Sequence, residues 1–134
     1  MTTSFRWSVL AVVLMFGCSA KTEGTESAAR KYFDAEFKKW MAGETNTVAT
    51  KQSKWRLLAP PISHDIRSIV PGEPDFLASQ DTTKHPEDWH AWPAYKMNVA
   101  IEWKSEQGSP MTDVTRYLLT WNVAEKRWYV TEQF

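Results

Sequence analysis

Apolar residues recur at three- and four-residue steps at Ala29, Tyr32, Phe33, Phe37, Trp40 and Met41, which puts them on one stripe of a helix beginning after Thr25. Thr25 can cap its amino terminus, and Glu26 lies against the positive end of the helix dipole. Lys38 and Lys39 fall in the last turn, Gly43 supplies a left-handed stop, and Glu44 lies beyond it. An aromatic stripe at this spacing reads as core packed on a sheet rather than as a ligand box. Residues 45–59 have sparse, uneven apolar positions at Val48, Trp55, Leu57 and Leu58. Asn46 could cap a short helix through Lys54, and Pro60-Pro61 ends whatever precedes it.

The period then changes to two. Residues 62–70 predict a strand, one that could lie at a sheet edge, with Ile62, His64, Ile66, Ser68 and Val70 sharing a face until Pro71-Gly72 turns the chain. The clearest strand is 95–105, where Tyr95, Met97, Val99, Ile101 and Trp103 alternate with Lys96, Asn98, Ala100, Glu102 and Lys104. Hairpin connections at 106–110 and 123–126 lead into strands 111–122 and 127–134. In the first of these, Val114 and Leu118 occupy one face and Tyr117, Leu119 and Trp121 the other, so it is either covered on both faces or shifts phase through a bulge. Its expected place is the sheet centre. One long amino-terminal helix packed on an antiparallel sheet of about four strands is an α+β architecture.

Composition narrows the function classes. The chain has 134 residues, with 16 Lys and Arg balanced by 16 Asp and Glu, and 43% are hydrophobic. That describes one domain with enough core-forming material to fold, and the balanced charge gives no reason to expect nucleic acid. A single cysteine excludes a disulfide framework, a cysteine-rich zinc site and a redox pair. That cysteine, Cys18, directly follows the apolar run 9–16 and Gly17, with Arg6 upstream, which is signal-peptide architecture. Residues 7–17 are too short for a spanning helix, which needs about 20 apolar residues.

The Gly17-Cys18 ending resembles the lipobox of bacterial lipoproteins, although Met15 stands where that family most often has leucine and Phe16 is bulkier than usual. An ordinary secretory signal or a buried hydrophobic helix is the alternative. The resemblance implies removal of residues 1–17 and acylation of Cys18 with palmitate-type chains. The protein would then be exported and held on a lipid bilayer. Ser19, rather than an acidic residue, favours the periplasmic face of the outer membrane. Residues 18–24 would form the lipidated cysteine and a short polar tether, and 25–134 a single domain. The six residues 19–24 reach at most about 21 Å, which holds the domain close to its membrane.

The order of elements resembles the cystatin-like, nuclear transport factor two-like superfold. It is also similar to small uncharacterised bacterial envelope proteins that share a helix ending in Trp-x-x-Gly, here Trp40-Met41-Ala42-Gly43, and a closing hairpin with an aromatic strand such as Val114-Thr115-Arg116-Tyr117. Neither resemblance assigns an activity.

Residues 71–93 make a long, Pro-rich connection that contains His85-Pro86-Glu87-Asp88-Trp89-His90-Ala91-Trp92-Pro93. Trp89 and Trp92 could fold over an open sheet edge as a lid. Alternatively Trp89, His90, Trp92 and Tyr95 form a platform that contacts an envelope protein or glycan. His85 and His90 match no metal-ligand spacing, and no cofactor motif is present. His64 and Asp65 cannot act together on a strand because adjacent side chains point to opposite faces, so His64 reads as a satisfied or exposed strand residue. No catalytic motif occurs. The alternative to a binding or structural module is a small-ligand pocket, or a cryptic enzyme, on the concave sheet face, with Asp113 as its candidate carboxylate.

Overall fold

The computed structural model describes residues 23–49, 60–75 and 88–133. Helix α1 spans Glu26–Met41, and the strands are β1 (Ser63–Pro71), β2 (Ala94–Lys104), β3 (Pro110–Asn122) and β4 (Arg127–Gln133), with a 3-10 turn at Trp89–Ala91. The strands form one antiparallel sheet in the order β1-β2-β3-β4. The protein is therefore α+β, one helix on a four-stranded sheet, with β2 and β3 central and β1 an edge.

Both helix ends form as their residues dictate. The Thr25 hydroxyl accepts from the Ala28 N–H at 3.2 Å. Gly43 has φ +75°, its N–H donates to the Trp40 carbonyl at 3.0 Å, and the Glu44 N–H donates to the Lys39 carbonyl at 2.8 Å. These two bonds are a Schellman motif, which satisfies carbonyls that the last turn would otherwise leave open. Ala29, Phe33, Phe37 and Trp40 face the sheet and are buried, while Tyr32 and Met41 are half-buried beside them. Glu36 is buried on the same side, where it holds Lys39 at 3.0 Å and accepts from the Thr47 N–H at 3.2 Å, so it fastens the chain that leaves the helix. Asn46 caps the turn that follows by accepting from the N–H groups of Val48 and Ala49, which seats Val48 in the core. The expected short helix through Lys54, with Trp55, Leu57 and Leu58, lies outside the described residues.

Strand β2 alternates as its sequence predicts: Met97, Val99, Ile101 and Trp103 enter the core and Tyr95 packs at its margin. Strand β1 does not keep one phase. The register shifts between Ile66 and Ser68, so His64, Ile66 and Ile69 belong to the helix side, while Ser68 pairs with Asn98 on the opposite face. The extra residue of a bulge reverses every later side chain, which moves Ser68 and Val70 off the expected face. The β2–β3 connection occupies 105–109, and Pro110 already belongs to β3.

Strand β3 runs without a register shift, so its two sets of apolar residues reflect cover on both faces. Tyr117 and Leu119 lie under α1. On the other face, residues 72–75 cross the sheet from its edge. The Gly72 N–H donates to the Ala94 carbonyl, the Asp75 N–H to the Thr120 hydroxyl at 3.1 Å, and the Thr131 hydroxyl to the Asp75 carboxylate at 2.8 Å. This strap buries Leu118 and Thr120, while Val114, further along the same face, stays 48% exposed.

Candidate functional site

Gly24, just ahead of α1, lies at the end of the sheet where β2 starts. The Tyr95 hydroxyl donates to the Gly24 carbonyl at 3.0 Å, and the Trp121 N–H donates to the Pro93 carbonyl at 2.8 Å. Gly24 has φ +70°, and a Cβ there would lie 2.8 Å from Trp121 Cδ1 and 3.1 Å from Pro93 Cγ. Only glycine meets both the left-handed backbone and the close approach of two rings. Gly24→Ala is accordingly expected to cost about 1–3 kcal/mol. Thermal unfolding would measure it, with Gly108→Ala, at φ +80° but in open space, separating the backbone contribution from the contact.

The four aromatic and histidine candidates separate at this end. Trp92 is 4% exposed and is not part of the cluster under α1. Tyr95 is half-buried, its ring 6.2 Å from that of Trp128 and its hydroxyl on Gly24. Trp89 is half-buried and His90 exposed, their rings in contact with centroids 3.8 Å apart and planes tilted by 31°. The 3-10 turn that carries them is closed by the Ala91 N–H on the Asp88 carbonyl and the Trp92 N–H on the Trp89 carbonyl. Trp92 and Tyr95 thus fasten the turn and the chain at Gly24, and Trp89 and His90 are the pair on the surface. Cys18 and His85 lie outside the described residues.

The helix side of the sheet is filled. Phe33 packs on Tyr117 with ring centroids 5.1 Å apart and on Phe37 at 5.9 Å, and Met97, Ile101 and Leu119 close the space around them. Asp113 lies on this face, opposite Ile101, half-buried, with its carboxylate accepting from the Val114 N–H at 2.8 Å. The concave-pocket alternative needs room that these rings occupy. Among the described residues no three of His, Cys, Asp and Glu gather as a metal would require, and no helix is long and apolar enough to cross a membrane.

Two polar pairs lie outside the sequence reading. His64 Nε2 meets Asp34 Oδ1 at 2.6 Å, with its ring against Phe37 at 4.1 Å, so the histidine is satisfied by the helix and not by its neighbour Asp65. Tyr117 and Glu132 stand directly opposite each other on β3 and β4, buried, and among the described residues the Tyr117 hydroxyl and Glu132 Oε2 have no hydrogen-bond partner. Burial, with the Glu132 carboxylate adding to it, holds the Tyr117 phenol well above its ordinary 10.0. Alternation places Tyr117 inside, but no sequence signal marks a glutamate as buried.

A helix on an open four-stranded antiparallel sheet defines the class of this protein as a small α+β domain. Compared with known proteins, the chain matches no family model, no curated protein and no solved structure.

Proposed function

We propose that the protein is an exported lipoprotein, acylated at Cys18, whose domain is a small binding module that contacts an envelope protein or polymer lying close to the membrane. Support comes from one junction: Gly24, six residues after Cys18, is seated against Pro93 and Tyr95, beside the turn that carries Trp89 and His90. A tether of at most about 21 Å then keeps Trp89 and His90 near the bilayer surface, where an aromatic ring with a polar edge is at home. The contact residues are Trp89 and His90, with Trp92 and Tyr95 holding them in position.

The first test is the intact mass and membrane fractionation of the wild type beside Cys18→Ser. The expected result is an acyl mass and membrane partition that the variant loses. Unmodified, non-sedimenting protein in both would overturn the anchor. The second test crosslinks the wild type and Trp89→Ala in intact envelopes and sediments each with purified peptidoglycan. Trp89→Ala is expected to lose its adducts or its co-sedimentation while its thermal midpoint moves by less than about 1 kcal/mol equivalent. Unchanged contacts, or unfolding of the variant, would remove Trp89 from the contact surface.

A further inference from the structure

The face of the sheet opposite α1 carries a row of polar side chains in continuous register. Ser68 on β1 pairs with Asn98 on β2, Asn98 with Arg116 on β3, and Arg116 with Gln133 on β4. At about 4.8 Å per strand the row is about 14 Å long. Together with Lys96 and Val70 it lines an open groove of about 250 Å³ beside the strap 72–75. The strap shapes this groove directly. A Cβ on Gly72 would lie 2.8 Å from Lys96 Cγ and 3.3 Å from Leu118 Cδ1, so the backbone rests on the methylene stem of a lysine that lines the groove.

The groove is cationic. Of the residues that line it, Lys96 and Arg116 are charged and none is acidic, and among the described residues no carboxylate lies within ion-pair distance of either. Glu102 accepts from the Ser63 hydroxyl, Asp75 from the Thr131 hydroxyl, and Asp65 lies 3.7 Å from Arg67. The chain as a whole has no net charge, so two cations in a groove with no acidic residue among its described lining are a local feature.

We propose that this groove binds a carboxylate-bearing ligand of peptide character, with Arg116 and Lys96 taking the carboxylate and Asn98 and Gln133 the neighbouring amide groups. A guanidinium fork matches a carboxylate with two parallel hydrogen bonds. The amide side chains on either side of Arg116 both donate and accept, as a peptide's N–H and C=O groups require. Their oxygens would oppose a phosphate, which accepts only. One Asn98 N–H is already spent on the Ser68 hydroxyl at 3.0 Å, which sets the orientation of that amide. Val70, half exposed at the margin, offers an apolar contact for a small side chain. The site does not depend on lipidation of Cys18.

The test titrates the full chain in neutral detergent with the acetylated, amidated tripeptide of alanine, glutamate and alanine. The same peptide with glutamine at its centre, and inorganic phosphate, serve as comparison probes. Saturable binding of the glutamate peptide is expected, with amide shifts at Ser68, Asn98, Arg116 and Gln133 and weakening as salt is raised. Arg116→Gln is expected to weaken it about tenfold or more, and Lys96→Gln by a smaller factor, with melting temperatures unchanged. The proposal is overturned if the glutamine peptide or phosphate binds as tightly, if Arg116→Gln keeps full affinity, or if no probe saturates.

Discussion

Phe33→Ala is expected to destabilise the domain by about 3–5 kcal/mol, the range for deleting a fully buried aromatic side chain. Phe33 has no exposed surface, and its ring touches three others: Phe37 on its own helix, His64 on β1 and Tyr117 on β3. Removing it leaves a cavity where the helix crosses the sheet, and the aromatic neighbours are too stiff to fill it without leaving their rotamers. A domain of this size has about 5–15 kcal/mol in total, so the variant falls to the edge of folding. Urea unfolding followed by tryptophan fluorescence measures the effect, because Trp40, Trp103 and Trp128 belong to the same core. The control is Lys31→Ala on the exposed face of α1, expected to change stability by less than about 0.5 kcal/mol. A loss below about 1 kcal/mol for Phe33→Ala would mean that α1 is not seated on the sheet as described.

How much of this was legible in the sequence follows from what each signal depends on. Local signals were sufficient for α1, where the Thr25 cap, the apolar stripe and Gly43 all act within a few residues. They were sufficient for β2, whose alternation is unbroken. They failed on β1, because the bulge between Ile66 and Ser68 is set by pairing with Val99 and Asn98 and leaves no mark in the strand's own composition. Burial of Glu36 and Glu132 was not legible either, since each residue's type argues for solvent and only the tertiary neighbours keep it inside.

The candidate sites divide on the same line. The Trp-rich segment stood out by composition, but which of its residues would fasten the fold and which would lie on its surface depended on Gly24 and Pro93 meeting Trp121. The row Ser68, Asn98, Arg116 and Gln133 needs four strands in register: alternation placed Asn98 outward, but Ser68 was expected on the face of Ile66, and nothing local marked the row itself. Cys18 is the opposite case, a reading that rests wholly on local sequence.

Alkaline pH is expected to weaken the domain through Tyr117, and Tyr117→Phe to abolish that share of the loss. The phenol has no exposed surface, its hydroxyl has no hydrogen-bond partner among the described residues, and the Glu132 carboxylate stands across from it. Burial first, and that carboxylate second, hold its pKa above the ordinary 10.0. In the unfolded chain the phenol ionises as pH passes 10, whereas in the folded chain it keeps its proton. The folded state then binds more protons than the unfolded one, so stability is complete below pH 10 and falls as pH rises beyond it. The slope for one such group is at most about 1.4 kcal/mol per pH unit, continuing until the folded phenol itself ionises. Tyr32 is also raised by burial, but it is half exposed and its Thr47 hydrogen bond opposes the shift, so it adds a smaller loss that both proteins share. Below pH 9 the phenylalanine variant should match the wild type or exceed it by up to about 1 kcal/mol, because it removes a buried donor that nothing accepts. Urea midpoints from pH 8 to 11.5, with phenolate absorbance recorded alongside, separate the outcomes: curves that diverge above pH 10 support a protonated, buried Tyr117, and parallel curves would mean that its hydroxyl reaches water in the folded state.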